Sequence, residues 1–232
     1  AVLGVSGKRE NFGRIILNNI KASGFPTERL YVIKEGADSI DGVCCVASLR
    51  DLPECVDLLV AATSADRAPE VVGDVIGSGE SEAPRCLSVI LIPGALGEKH
   101  GTEGVERSIR SAIAASRSRP DAGPVFLGGN CMGVRSRPGR YDTFFIPESK
   151  LDPRRDARPK RAALISQSGA FIITRLSNLE FLDPALAISV GNQVDLTVGD
   201  LMQAGAGRDD IDCVGVYAEG VNDLDGAKFL CA

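Results

Sequence analysis

A turn rich in glycine and serine near the start of the chain has the residue types of an anion-binding loop. It begins within the apolar run 1–5 and leads into the amphipathic stretch 13–23. A strand that passes through such a turn into a helix directs backbone N–H groups, and the positive end of the helix dipole, at an anion. Two adjacent cations in the turn suit a phosphorylated group. The candidate binding residues are Ser6, Gly7, Lys8, Arg9 and Gly13.

The glycine spacing separates this turn from two common nucleotide-binding loops. The pattern from Gly4 to Gly13 is G-x-x-G-x5-G, whereas dinucleotide-binding domains carry G-x-G-x-x-G. Arg9 follows Lys8 where a triphosphatase loop would have Ser or Thr. Glu35, 22 residues beyond Gly13, leaves a nicotinamide site open as an alternative, because such an acid binds the ribose there. A turn whose glycines serve packing alone is the other alternative.

Three polar segments in the last third of the chain also follow apolar runs. Hydroxyl groups beside the free amides of a helix N-terminus suit a carboxylate or phosphoryl group, and open α/β sheets place ligands at the carboxyl ends of their strands. The first segment, at 166–169, does not match G-x-S-x-G, and no histidine is near it in sequence, which disfavours a serine hydrolase. A simple serine cap and a surface glutamate are the alternatives. The residues concerned are Ser166, Gln167, Ser168 and Gly169, then Gly191 and Asn192, and finally Glu219.

The histidine and the cysteines offer little further chemistry. His100 is the one histidine of the chain and lies in a polar segment, so a histidine-based metal site is disfavoured and no metal is expected. Seven cysteines without a C-x-x-C pair predict reduced thiols in a reducing compartment. Cys131 follows an apolar run without a pattern that would activate it, which favours a packing thiol over a nucleophile.

Composition excludes several classes of protein. The 232 residues contain 44% hydrophobic and 25% charged residues, with a net charge of −5. These proportions are typical of a globular chain, and the negative charge disfavours a general nucleic-acid binder. The sequence has neither a run of about 18 apolar residues nor a signal-peptide pattern. We therefore expect a cytoplasmic protein with no membrane or nucleic-acid partner.

The elements that must position these residues follow an alternating α/β pattern. Short runs rich in Val, Leu and Ile predict parallel strands buried on both faces at 1–5, 30–33, 57–62, 87–92 and 124–127. Apolar residues at helical spacing predict crossover helices over 13–23, 66–77 and 103–116. The pattern predicts a doubly wound α/β domain over residues 1–134.

Residues 135–161 differ from the flanking sequence, with nine basic residues, four acidic residues and four prolines. This composition predicts an irregular, solvated connection between two domains, and a basic surface facing a phosphorylated ligand is the alternative.

A second α/β series follows, with strands predicted at 162–166, 186–190 and 212–218 and helices at 170–180 and 197–204. Three strands are few for a domain, and the chain opens in an apolar run and closes soon after a predicted helix start. We therefore expect residues 162–232 to be an incomplete domain of a longer polypeptide.

Several motifs, taken in order and spacing, resemble one family over essentially the whole chain. The chain is similar to the α part of the NDP-forming acyl-CoA synthetases, which are relatives of the succinyl-CoA synthetase α subunit. The matching segments, besides the first turn, are DLPECVDLLV at 51–60, APEVV at 68–72, GNCMG at 129–133, ALISQSGA at 163–170, SVGN at 189–192 and YAEG at 217–220.

The resemblance implies a Rossmann-like CoA-binding domain followed by a flavodoxin-like ligase domain. It implies conversion of acid, CoA and NTP to acyl-CoA, NDP and phosphate, through an acyl phosphate and a phosphohistidine that lies outside this chain. The nucleotide, as ATP or ADP with Mg, would bind a partner nucleotide-grasp module, and the protein would be an oligomer. A non-catalytic module that senses CoA or acyl-CoA is the alternative, with the nicotinamide-dependent enzyme as a second.

The resemblance also assigns roles to residues. It implies that Ser6, Gly7, Lys8, Arg9, Gly13, Ile33, Thr63, Ser64, Gly97 and Glu98 bind CoA. The acyl or phosphoryl group would be held by Ser166, Gln167, Ser168, Gly169, Gly191 and Asn192, and Glu219 would orient the phosphohistidine. The chain departs from the family pattern at three places near the CoA site, namely Thr63-Ser64 for Val-Pro, Lys34-Glu35-Gly36 for Asn-Pro-Lys, and Gly129 for Pro.

Overall fold

A seven-stranded sheet forms the core of the first domain. The computed structural model describes residues 1–77, 85–96, 100, 102–119, 122–151, 158–179, 181–221 and 226–228. The strand order is β3-β4-β2-β1-β5-β6-β7, and every pair is parallel except β3 with β4. The strands are β1 (Val2–Leu3), β2 (Tyr31–Ile33), β3 (Ser39–Ile40), β4 (Val43–Val46), β5 (Val56–Ala61), β6 (Cys86–Leu91) and β7 (Val125–Gly128).

Three helices, α1 (Phe12–Ala22), α2 (Ala68–Ile76) and α3 (Glu103–Arg117), cross between these strands. The predicted doubly wound α/β arrangement is therefore confirmed. The apolar side of α1 packs on one face of the sheet, while α2 and α3 share a separate core on the other face with Leu59, Val89 and Phe126. The hairpin of β3 and β4 was not predicted. Its turn is Asp41-Gly42, and both residues have positive φ. The Asp-Gly dipeptide is a hairpin signal in the sequence, but a search for apolar runs overlooks it.

The second domain contains a five-stranded sheet of order β12-β10-β11-β8-β9. Strands β11 and β12 run parallel to β10, whereas β8 is antiparallel to β11 and to β9. The second predicted α/β series is confirmed in strand and helix order. The elements are β8 (Gly133–Ser136), β9 (Tyr141–Asp142), β10 (Lys160–Ser166), α4 (Gly169–Asn178), β11 (Pro184–Ser189), α5 (Val198–Ala206) and β12 (Cys213–Tyr217).

The expectation that 135–161 is an irregular, solvated connection is wrong for its first part. Strands β8 and β9 belong to the second sheet, so this sheet includes residues 135–136 and 141–142 of the predicted connection. It also begins at Gly133, within the range 1–134 predicted for the first domain. Arg135 and Asp142 form a buried ion pair, with Nε donating to a carboxylate oxygen at 2.9 Å and side chains only 8% and 6% exposed. Burial raises the pKa of Asp142, although Arg135 opposes the shift. The composition of 135–161 gives the number of basic and acidic residues but does not show which of them form ion pairs inside the protein.

The two domains are joined along β7, the edge strand of the first sheet. The segment 192–196 donates two backbone hydrogen bonds to β7, from Val194 N to Gly128 O at 2.7 Å and from Leu196 N to Phe126 O at 3.0 Å. A third runs from Asn192 N to the next residue, Gly129 O, at 2.8 Å. The core around α1 also includes Ile165, Val190 and Val198 of the second domain. The second domain thus covers part of the sheet face that α1 leaves open, and the edge of β7 is paired rather than exposed.

Among the residues that the structure describes, no helix is both long and apolar enough to cross a membrane.

Asp195 reinforces this junction, which leads to a stability prediction. Its carboxylate accepts the Phe126 N–H at 2.8 Å and pairs with Arg117 of α3, and its side chain is 16% exposed. We expect Asp195→Ala to lower the free energy of unfolding by about 1–3 kcal/mol, because two donors lose their acceptor. Urea unfolding followed by circular dichroism measures the loss.

The control is Asp212→Ala, since Asp212 pairs with Arg161 at 2.8 Å but both side chains are at least half exposed. Exposed pairs are screened by water, so this variant should lose less. An equal loss in the two variants would contradict a special role for Asp195 at the junction.

Candidate functional site

Asn11 shapes the first turn by capping α1. Its side-chain oxygen accepts hydrogen bonds from Arg14 N at 3.0 Å and Ser6 N at 3.2 Å, and its side-chain nitrogen donates to Gly4 O at 2.8 Å. The Ser6 hydroxyl accepts the N–H of Arg9 at 3.1 Å. The turn therefore has one defined path from β1 into the helix. Asn11 was not among the predicted site residues, although an Asn just before an amphipathic stretch is a helix-start signal.

Gly13 permits the helix to start directly against the end of β1. A Cβ atom built at this residue would lie 2.6 Å from Gly4 O and 2.9 Å from Val5 N. No residue with a side chain fits there without moving the backbone. The amides of Phe12 and Gly13 lie in the first turn of α1, where backbone N–H groups have no intrahelical partner. This local geometry is that of an anion-binding strand-to-helix turn.

A pocket of about 630 Å³ opens beside the turn, and its charged lining residues are mostly cations. Of the predicted residues, Ser6, Gly7, Lys8 and Arg9 line it. Two cations that sequence reasoning missed join them. Lys34 follows β2 and its Cε lies 3.7 Å from a Cβ built on Gly7, while Arg14 lies in α1 and pairs with Asp41 at 2.7 Å. Four cations thus surround a pocket that contains one carboxylate, that of Asp41.

Of the other predicted CoA-binding residues, Ile33, Thr63 and Ser64 are at the same edge of the sheet but do not line this pocket. Ile33 ends β2 and is buried, and Thr63 and Ser64 follow β5. Strands β1, β2 and β5 are parallel neighbours, so their carboxyl ends lie side by side. Within the described ranges, the Thr63 hydroxyl is buried and has no hydrogen-bond partner. Gly97 and Glu98 lie outside the described residues.

In the second domain, Ser166 and Ser168 shape the turn between β10 and α4. Ser166 is fully buried, and its hydroxyl donates to Ser168 O at 2.7 Å. Ser168 is the N-cap of α4 and accepts the Phe171 N–H at 3.4 Å. The serine-cap alternative is thus confirmed for Ser168, and contact of either serine with a phosphoryl group stays a prediction. The proton of the Ser166 hydroxyl is already used in a hydrogen bond within the turn.

Gln167 connects this turn to Glu219. The Gln167 backbone N–H donates to Tyr217 O at 2.9 Å, and the side-chain oxygen accepts the backbone N–H groups of Glu219 at 2.8 Å and Gly220 at 3.1 Å. Glu219 itself is exposed, two residues beyond the end of β12. The structure thus brings Glu219 to the same sheet edge as the turn at 166–169.

Gly191 and Asn192 complete the cluster in the second domain. Gly191 has φ +62°, and a Cβ atom there would lie 2.1 Å from Gly129 O. Only glycine allows such an approach between the two domains. The Arg110 guanidinium, from α3, donates to Asn192 O at 3.0 Å and Gln193 O at 2.8 Å. No local signal could have identified Arg110, because it lies 82 residues away in sequence.

The segment 129–133 lies between the turns of the second domain. Met132 N donates to the Ser189 hydroxyl at 3.0 Å, and a Cβ on Gly169 would lie 2.8 Å from the Met132 side chain. Val190 N donates to Ser166 O at 2.8 Å, which places the ends of β10 and β11 side by side. The turn at 166–169, the turn at 191–192 and the segment after β7 therefore form one contiguous site.

His100 and Cys131 remain outside this chemistry. His100 is exposed. Cys131 is 2% exposed, donates to Leu91 O at 3.3 Å, and has its pKa raised by burial to about 12. A neutral, enclosed thiol is a poor nucleophile, so the interpretation of Cys131 as a packing residue is confirmed.

Two family models match consecutive parts of the chain. Residues 1–137 match the family described as CoA binding domain, and residues 159–232 match the succinyl-CoA ligase like flavodoxin domain. The class of protein is thus a CoA-binding α/β domain joined to a succinyl-CoA ligase-like domain.

Curated relatives match nearly the whole chain at low identity. The chain is 29% identical over 235 residues to the acetate–CoA ligase [ADP-forming] I subunit alpha of Pyrococcus furiosus, covering 99% of this chain and 46% of that protein. It is 28% identical over 233 residues to acetate–CoA ligase [ADP-forming] I of Archaeoglobus fulgidus, covering 99% of this chain and 30% of that protein. The chain therefore spans half or less of these relatives.

Solved structures also match nearly the whole chain. A dinucleotide forming acetyl-coenzyme A synthetase 1 of Ca. Korarchaeum cryptofilum, in complex with phosphate and ADP, superposes with a TM-score of 0.82 at 25% identity, over 99% of this chain and 46% of that one. The ATP citrate lyase of Methanothrix soehngenii shares the fold, with a TM-score of 0.68 at 13% identity over 100% of this chain and 37% of that one. This chain belongs to the NDP-forming acyl-CoA synthetase family, in the part that corresponds to the α subunit.

Thiol labelling tests the packing role of Cys131. In the native chain at pH 8, iodoacetamide should label the exposed Cys44 and Cys213 and leave Cys131 unlabelled, because burial both encloses its thiol and raises its pKa. Mass spectrometry of proteolytic peptides gives the extent at each residue, and the urea-unfolded chain is the control in which all seven cysteines should react. Native labelling of Cys131 at the rate of Cys213 would contradict the assignment.

Proposed function

We propose that this chain is the CoA-binding and ligase part of an NDP-forming acyl-CoA synthetase. The reaction would convert a carboxylic acid, CoA and NTP to acyl-CoA, NDP and phosphate. The observation that supports it most is the pair of anion-directed turns, one in each domain, held in fixed relation by the hydrogen bonds of 192–196 to β7. An acyl transfer to CoA needs CoA and the acyl group to meet at such a junction.

The first turn would hold the phosphates of CoA. CoA carries several phosphoryl charges, and the pocket beside the turn offers four cations with one carboxylate. The amides of the first turn of α1 add further donors. Lys34 is a proposed contributor because it lines the same pocket as Lys8 and Arg9. When bound, CoA would supply the thiol that accepts the acyl group.

The second cluster would hold the acyl or phosphoryl group. The N-terminus of α4, capped by Ser168, offers backbone donors without a titratable side chain. The turn at Gly191 and Asn192 lies beside it, and its backbone is fixed by the bond from Asn192 N to Gly129 O. Preorganised donors of this kind stabilise charge that develops on phosphoryl oxygens during transfer. Glu219, held at the same edge, would orient a phosphohistidine supplied by another part of the enzyme. A nucleotide-grasp module with NTP and Mg, and an oligomeric assembly, belong to the same proposal.

The charge at the end of β2 favours CoA over a nicotinamide dinucleotide. A nicotinamide site has an acid there that binds the ribose, and Glu35 was the candidate. In this chain Lys34 lines the pocket, whereas Glu35 is exposed and does not line it. A sensing module that binds CoA without catalysis would use the same pocket, but the similar proteins are named as acetate–CoA ligases, which favours the enzyme. Phosphoryl transfer in the complete protein discriminates between the two.

Calorimetric titration with CoA tests the first turn. We expect Lys34→Met, and the double variant Lys8→Ala/Arg9→Ala, each to weaken CoA binding about tenfold, because each removes a charged hydrogen-bond donor to phosphate. Lys150→Met is the matched control, since Lys150 is exposed in the second domain and should leave affinity unchanged. Unchanged affinity in both site variants, or NADH binding that CoA does not displace, would overturn the CoA assignment.

Glu219→Gln tests the ligase side in the complete enzyme. A carboxylate beside a histidine fixes its orientation and stabilises its positive charge, so we expect phosphoryl transfer to slow by about 10²-fold. The measurement is the single-turnover rate of histidine phosphorylation, with circular dichroism and CoA affinity as controls that should not change. A wild-type rate in the variant would return Glu219 to the role of a surface carboxylate. No phosphorylation of the wild-type enzyme would favour the sensing module.

A further inference from the structure

We propose that Gln167 is a positioning residue for Glu219, acting through the main chain rather than on the substrate. The inference deepens the proposed function and rests on it. The resemblance implies direct contact between Gln167 and the acyl or phosphoryl group. The geometry instead gives the side-chain oxygen of Gln167 two partners within the chain, the backbone N–H groups of Glu219 and Gly220.

The orientation of the Gln167 amide follows from its partners. Backbone N–H groups are donors, so the side-chain atom 2.8 Å and 3.1 Å from them must be the oxygen. Phosphoryl oxygens are acceptors, and a contact with substrate would have to use the side-chain nitrogen. The two roles therefore belong to different atoms of one side chain, and a substitution can remove one and keep the other.

The segment that carries Glu219 needs such a support. Strand β12 is at the edge of the second sheet, and its ladder with β10 ends at the pair Ser166 and Tyr217. Residues 218–221 beyond it are all exposed, so side-chain packing contributes little to their path. Stacking of Tyr217 on Phe171, with ring centroids 4.2 Å apart, fixes the last residue of the strand. Gln167 then sets the direction of the next turn.

Gln167 also lies where it can couple this turn to the rest of the site. Its backbone N–H continues the β10–β12 pairing by donating to Tyr217 O at 2.9 Å. The next residue, Ser168, caps α4. One dipeptide thus fixes both the start of α4 and the main chain of Glu219, and a shift in either would move the carboxylate relative to the phosphoryl site. Misplacement of a catalytic group by about 1 Å can cost up to about 10²-fold in rate.

Two variants of Gln167 separate positioning from direct contact. Gln167→Met keeps the length of the side chain and removes both the acceptor and the donor. Gln167→Glu keeps an acceptor for the two N–H groups, removes the donor and adds a negative charge that would repel a phosphoryl group. Gln203→Met is the matched control, because Gln203 is an exposed glutamine on α5.

The first measurement does not depend on activity. Hydrogen–deuterium exchange by NMR reports the protection of the Glu219 and Gly220 amides. We expect protection in the wild type, in Gln167→Glu and in Gln203→Met, and exchange at least tenfold faster in Gln167→Met. Equal exchange in Gln167→Met and the wild type would overturn the proposed contact, whatever the protein catalyses.

The second measurement is the single-turnover rate of histidine phosphorylation in the complete enzyme. Positioning predicts a rate about tenfold lower in Gln167→Met and substantial recovery in Gln167→Glu, with CoA affinity unchanged in both. A rate in Gln167→Glu at or below that of Gln167→Met would instead indicate direct contact with the phosphoryl group and overturn the positioning role. A wild-type enzyme that forms no phosphohistidine, with the amide protection intact, would contradict the proposed function but not the contact.

Discussion

The pairing of segment 192–196 with β7, the edge strand of the first sheet, is the constraint on which the site depends. Three backbone hydrogen bonds, between 2.7 and 3.0 Å, hold the second domain against the first. Because the turn at Gly191 and Asn192 continues directly into this segment, its position relative to Gly129 is fixed by main-chain atoms. Backbone pairing of this kind is independent of side-chain rotamers and therefore holds the two turns with little freedom.

Arginines on α3 extend the same constraint to the other face of the first sheet. Arg110 donates to the carbonyl groups of Asn192 and Gln193, and Arg117 pairs with Asp195. Both residues belong to the CoA-binding domain, and both contact the polypeptide of the second domain. A planar guanidinium can bind two acceptors at once, which suits it to fix a loop rather than merely neutralise a charge.

Some residues of this chain differ from the family's sequence motifs, and the structure shows the contacts that the different residues make. Gly129, where the family has Pro, accepts a close approach from Gly191 and a hydrogen bond from Asn192. Lys34 places a cation in the pocket beside Gly7. The pocket therefore remains cationic although the segment Lys34-Glu35-Gly36 differs from the pattern.

Sequence by itself determined the parallel strands and crossover helices of the two-domain α/β class, and the turns that follow β1, β10 and β11, because apolar periodicity and glycine-containing turns are local properties. It did not reveal the β3–β4 hairpin, although its Asp41-Gly42 signal was present, and it misjudged the basic residues at 135–142. Arg135 and Arg110 gained their roles only in the tertiary structure, since their partners are 7 and 82 residues away. The sequence located Gln167 beside a turn, but only the fold showed its oxygen to be bonded to the main chain of Glu219. Contacts between distant residues depend on how the two domains pack, which no local pattern encodes.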